Sequence, residues 1–296
     1  MKINPLLNEI ARGLWFMDIQ SLETWGVFAH RILSNEKLNL PELQSEPKAL
    51  ISFFDDKNEK QKPDENGNIR LKKDSVAVVD RIGPLVKYGD WCTYGADDIY
   101  NVLTKANNDD NISAIVVNDD GPGGSVSSIA PFVQFGKEKR KPVVVLYDQM
   151  CSAHLYSAYA MADYVIAAND ISATIGSIGV VLSFADNRKY LESKGYTFHD
   201  IYPKESEHKN QAFMLALEGK YDMIKDEMLS PLAKKFQDDV KLFRPQLKHQ
   251  ETGVLTGKTF LAKDAIDLGF ADAIGDLKFA IEKARIISEL KNNYKP

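Results

Sequence analysis

Between Ser75 and Ala167, short runs of aliphatic and β-branched residues recur at helix-length intervals. They are Val76-Ala77-Val78-Val79-Asp80, Ile115-Val116-Val117-Asn118, Val143-Val144-Val145-Leu146-Tyr147 and Tyr164-Val165-Ile166-Ala167. Runs this short, bounded by polar or glycine-rich turns, read as strands rather than buried helices. The intervals Ala96 to Lys105, Ser125 to Phe135 and Ser152 to Met161 read as helices. Strands alternating with helices predict an α/β fold: a right-handed βαβ succession whose mainly parallel sheet is covered on its faces. Sheets of this kind place their sites in the turns that follow the strands.

The flanks carry weaker patterns. In residues 1–34, Leu6, Leu7, Ile10 and Leu14, then Trp25, Phe28 and Ile32, fall near helical spacing and predict a helical N-terminal segment. Residues 35–74 are polar and mixed in charge and read as a linker. The main domain is expected over 75–290. Within it, residues 215–245 predict one long helical run with Leu229, Leu232, Phe236, Val240 and Phe243 on its apolar face.

Composition narrows the function classes. The chain has 296 residues, 44% hydrophobic and 27% charged, with a net charge of -5. That balance fits a globular protein and gives no electrostatic support to a nucleic-acid partner. Cys92 and Cys151 stand far apart, which suits a reduced, cytoplasmic setting. No signal peptide and no membrane anchor are expected, because no apolar run approaches the ~20 residues a spanning helix needs.

Two glycine turns flank a serine at a strand–helix joint. Gly121-Pro122-Gly123-Gly124 follows the second strand, and Gly176-Ser177-Ile178-Gly179 follows the fourth. Between them, the strand ending at Met150-Cys151 runs into a helix at Ser152. A hydroxyl there meets the positive end of the helix dipole, although serine is also a common helix cap. Backbone N–H groups of Gly123 or Gly124 are suited to holding an oxyanion. The first turn lacks the Gly-Lys-Ser/Thr of a phosphate loop and the spacing of a dinucleotide fingerprint. A nucleophilic serine requires a base. His154, His199 and His208 would suit a triad oriented by Asp148, Asp163 or Asp186. His154, however, lies only two residues beyond Ser152 on one helix, where side chains diverge. Lys204 and Lys209 are the other candidates, since burial can lower a lysine pKa toward working pH. No histidine spacing suggests a metal site.

Residues 75–280 resemble peptidase family S49, which includes signal-peptide peptidase A and the head-maturation proteases of tailed phages. The resemblance rests on motifs in family order: Asp120-Gly121-Pro122-Gly123-Gly124, Met150-Cys151-Ser152-Ala153, Gly176-Ser177-Ile178-Gly179-Val180, Glu207-His208-Lys209, and the closing Leu255-Thr256-Gly257-Lys258 with Ala265 to Gly275. It implies a ClpP/crotonase-like fold and a Ser152–Lys209 dyad, with an oxyanion hole from Gly123 and Gly124 and with Ser177 supporting the lysine. No cofactor and no metal are implied. Val76 to Val86 and the segment around Trp15 and Trp25 look more like the phage branch, implying a polypeptide substrate such as scaffold or capsid protein. The family also implies a homo-oligomer. Two departures stand out: His154 occupies a place usually held by a small residue, and the interval from Ser152 to Gly176 is longer than usual, which brings Ser157 into question beside Ser152. The alternatives are a signal-peptide-peptidase-like protease without an anchor, a crotonase acting on acyl-CoA, or an inactive assembly protein on the same fold.

Overall fold

The computed structural model describes residues 13–17, 21, 50–65, 67–89, 94–184 and 186–293. The helices expected around Leu6, Leu7, Ile10, Trp25, Phe28 and Ile32 lie outside the described residues. Leu14 does not continue a helix: Leu14–Met17 is a strand, β1. The segment 35–74 also contains more than linker, because Ile51–Phe54 forms strand β2 on the edge of the main sheet.

The sheet is built from the predicted runs. Strand β3 is Ser75–Ile82, followed by helix α1, Ala96–Asn108, and strand β4, Ile112–Gly121. The short strand β5, Gly123–Ser125, and a single 3-10 turn lead into helix α2, Ala130–Glu138. Strand β6, Val143–Cys151, precedes helix α3, Ala153–Met161, and strand β7, Tyr164–Ala167. Strands β8, Thr174–Gly176, and β9, Val181–Leu182, follow. Helices α4, Arg188–Ser193, α5, Gln211–Leu217, and α6, Ser230–Phe243, form an arm and its return. Strand β10, Thr259–Leu261, helix α7, Ala262–Leu268, strand β11, Ala273–Ile274, and helix α8, Leu277–Asn293, complete the described chain.

The larger sheet runs β10-β8-β6-β4-β3-β2, with β7 and β11 branching from β6. The β3–β4, β4–β6, β6–β7 and β6–β8 pairs are parallel, while β2 and β10 are antiparallel edges. The α/β class read from the sequence is therefore present. Strand β6 is forked: Val144 to Tyr147 pair with β7, and Gln149 to Cys151 pair with β8.

Alternation sorts the strand side chains into two cores. Ala77, Val79, Ile115, Val117, Val143 and Val145 face the larger core with α1, α2 and α3. Val76, Val78, Ala114, Val116, Val144 and Leu146 face the other, closed by Ala280, Ile281 and Ala284 of α8. Helix α3 is buried almost all round, from Ala153 to Tyr159, so its apolar residues form no stripe. The long run expected over 215–245 is broken after α5. Gly219 takes φ 80° there, and a π-helical turn, Ile224–Leu229, leads into α6. Phe236 and Val240 are nevertheless buried as expected, with Leu232 and Phe243 packed beside them.

Candidate active site

Three of the motifs converge because they follow the carboxyl ends of adjacent strands. Gly121 of β4 lies beside Met150 of β6, and Cys151 of β6 lies beside Gly176 of β8. The glycine turn, Ser152 and Ser177 therefore leave the sheet side by side at one rim, where a parallel α/β sheet places its chemistry.

Ser152 is the hinge between β6 and α3. Its φ of 52° with ψ of -109° lies outside the regions an ordinary side chain prefers, a strain that persists only where the surroundings impose it. Those surroundings are the Ser152 N–H donating to the Gly176 carbonyl at 2.9 Å and the Tyr156 N–H of the first α3 turn donating to the Ser152 carbonyl at 2.9 Å. The hydroxyl donates to the Gly179 carbonyl at 3.5 Å. Ser177 also has positive φ, 57°, and its N–H donates to the Lys258 carbonyl at 3.0 Å. Two strand ends that are neighbours in the sheet, those of β6 and β8, are thus turned sharply by serines.

The two glycines of the first turn are required for close approach on opposite sides. A Cβ at Gly123 would lie 2.1 Å from the Phe16 carbonyl oxygen, and one at Gly124 would lie 2.1 Å from that of Leu85. Gly123 additionally takes φ 127°, a region open essentially to glycine alone. Nearby Asp120 holds its proton more tightly than an ordinary carboxyl, through burial and then the neighbouring charges of Asp148 and Asp119.

Ser152 and Ser157 differ in their hydrogen-bond partners. Ser157 is buried inside α3; its hydroxyl donates back to the Ala153 carbonyl at 2.6 Å and accepts from Arg81 Nη1 at 2.7 Å. Ser152, equally buried, stands instead at the strand–helix joint.

His154, the departure noted in the sequence, belongs to a buried charged network that sequence reading missed. Arg81 grips Asp119 through Nε and Nη2, at 2.8 and 2.6 Å, and its Nη2 also donates to the His154 carbonyl. His154 Nδ1 lies 2.5 Å from Asp119 Oδ1, and Nε2 donates to the Gly83 carbonyl at 2.8 Å. Burial alone would raise the Asp119 carboxyl, but Arg81 and His154 overcome it and hold it below the ordinary value. A Cβ at Gly121 would meet His154 Nε2 at 2.2 Å. The network therefore fixes β3, the end of β4 and the start of α3 to one another, directly beneath the rim. The sequence carried only a faint signal of it, an arginine and an aspartate at the polar ends of two strand runs.

The histidine triad finds no support. His154 spends both ring nitrogens on Asp119 and Gly83, and His199 and His208 are exposed on the arm. His208 contacts its neighbours Glu207 and Gln211. Lys209 is not brought to Ser152. It lies in the turn before α5, exposed, and its amine has no hydrogen-bond or ion-pair partner among the described residues. The arm around it exposes large apolar side chains, including Phe184, Tyr190, Tyr196, Ile201 and Phe213, with Ile201 88% accessible.

The family model for peptidase family S49 matches residues 136–291. Protease 4 of Haemophilus influenzae is 28% identical over 246 residues, covering 81% of this chain and 39% of that protein. Protease 4 of Salmonella typhi is 25% identical over 201 residues, covering 67% of this chain and 32% of its own length. The chain thus spans less than half of either relative. Among solved structures, a variant of a membrane-bound stomatin-specific protease with a substrate peptide aligns at TM-score 0.46 and 15% identity, over 70% of this chain and 78% of that one. An enoyl-CoA hydratase/isomerase family member aligns at 0.42 and 17%, over 74% of each; both likenesses are too loose to bear on function. With more than half of its length matched by the family model, this chain belongs to peptidase family S49.

Proposed function

We propose that the chain is a serine endopeptidase with Ser152 as nucleophile. The observation that carries this reading is the strained Ser152 at the β6–α3 joint, one strand away from the Gly123-Gly124 turn. Ser152 Oγ attacks the scissile carbonyl, and its proton passes to the neutral amine of Lys209. The N–H groups of Gly123 and Gly124 hold the oxyanion. Lys209 then protonates the leaving amine, and water hydrolyses the acyl-serine. Ser177 orients the lysine.

Because the Lys209 amine stands in solvent in the single chain, the dyad is proposed to form across a contact between two copies. The apolar residues exposed on the arm support this, since clustered surface of that kind marks an interface. Docking them would also desolvate the amine, which a basic lysine requires. The natural substrate we propose is scaffold or coat protein of an assembling phage capsid, in keeping with the phage-like segment Val76 to Val86.

The test is covalent labelling with a fluorophosphonate, run beside casein cleavage. Ser152→Ala is expected to lose both, and Lys209→Ala to lose cleavage by at least about 10²-fold with the fold intact. Full cleavage by Ser152→Ala would refute the assignment.

A further inference from the structure

Strand β1 stands apart from the larger sheet. It sits between β5 and β9, antiparallel to both, forming a small separate sheet with them. Trp15, Phe16 and Met17 pair with Ser125, Gly124 and Gly123, while Leu14 and Trp15 pair with Leu182 and Val181. Its partners are the two segments that flank Ser152. β5 is the continuation of the glycine turn, and β9 follows Gly179, whose carbonyl receives the Ser152 hydroxyl. Strands of three and two residues have no sheet without a third between them. Running toward Gly123, β1 brings Met17 into the cleft lined by Ser177, Gly179 and Val181. Ser152 itself is only 1% accessible.

We infer that residues Leu14–Met17 are an autoinhibitory strand, which occupies the slot between β5 and β9 that an extended polypeptide would take and so keeps Ser152 closed. The inference takes its link to catalysis from the serine-peptidase reading above. An extended peptide adds to exposed strand edges through its main chain and is selected by pockets for its side chains, and β1 does both. Gly123 admits its backbone, since a Cβ there would strike Phe16 and Met17. Phe16 enters the core against the stacked pair Tyr156 and Phe236, with ring centroids 5.9 and 4.9 Å away. Trp15 and Met17 are buried as well. The ligand that fits is therefore an extended segment with bulky apolar side chains, and an external polypeptide must take the place of β1 before it reaches Ser152.

The test locks the strand. In a Leu14→Cys, Leu182→Cys protein, the paired positions are joined by oxidation and freed by reductant. The probe is a fluorescent peptide copying residues 13–20, measured by anisotropy on the Ser152→Ala background. Freed protein is expected to bind it at least about tenfold more tightly than locked protein. With Ser152 intact, casein cleavage is expected to fall on locking and return on reduction. A second variant, Phe16→Ala, loosens β1 without a cross-link and is expected to bind the probe more tightly than the parent. Equal binding in the two states, or binding in neither state nor in Phe16→Ala, overturns the inference. Redox-dependent binding without any cleavage would sink the peptidase reading and leave the slot standing. Cleavage at equal rates when locked and freed would do the reverse.

Discussion

Arg81, Asp119 and His154 show how a few side chains set the geometry of a rim they do not enter. The three are fully buried, and removing one partner from a buried ion pair strands the other charge, at a cost of about 3–5 kcal/mol. Arg81→Met is therefore expected to lower the unfolding free energy by that order in urea titrations. The pH dependence carries a definite sign. The Asp119 carboxyl is held below its ordinary 3.8 in the folded chain, so it contributes stability above that value. The contribution is lost as pH falls through the lowered folded value. Acid unfolding of the parent should fall in that region, and Asp119→Asn should be less stable at neutral pH with a flatter acid limb. The serine was legible from the sequence because its strand–helix joint is a local pattern. The network was not, because its members lie far apart in the chain and meet only through strand register.

At the scale of elements, the Gly123-Gly124 turn serves as a joint between two sheets. Its first glycine faces β1 and its second faces Leu85, which bridges to Gly124. Gly123→Ala combines a φ of 127° with a Cβ 2.1 Å from the Phe16 carbonyl oxygen. The backbone strain alone is worth about 1–3 kcal/mol. Peptidase activity is expected to drop by about 10²-fold or more, with a lowered melting temperature. A variant with undiminished turnover would remove Gly123 from the proposed oxyanion hole. The parallel strands and their helices were readable from periodicity, since burial on both faces leaves continuous aliphatic runs. β1 and β2 were not. Leu14-Trp15-Phe16-Met17 has no polar alternation to separate strand from helix, and Ile51-Ser52-Phe53-Phe54 is a short run inside a charged segment. Each is a strand because a distant edge awaited it.

The whole molecule is fastened at both ends of its sheet, by the Arg81–Asp119–His154 network beneath the carboxyl rim and by the last turns of α8 at the amino ends. The glycine turn, Ser152 and Ser177 sit at the carboxyl rim, and α8 crosses the amino ends. There Arg285 donates to the carbonyls of Asp74 and Asp55, Ser288 to that of Ser113, and Lys291 to Asp163 beside the start of β6. Lys209 belongs to neither end, and its motif was legible while its placement was not. A base supplied by a second copy predicts specific activity that rises with protein concentration in step with self-association by light scattering. Activity independent of concentration, in a protein that remains monomeric, would exclude that arrangement.

The separation of β1 from the larger sheet has a kinetic consequence. Opening β1 disrupts its ladders with β5 and β9 but none of the pairs joining β3, β4 and β6. In amide hydrogen exchange, the amides of residues 14–17 and 181–182 should therefore open as one small unit, well before the central strands. Their opening should respond to mild denaturant far less steeply than global unfolding does, since the newly exposed apolar surface is chiefly that of Trp15, Phe16 and Met17. The rim can then be remade many times over within the lifetime of a single folded core.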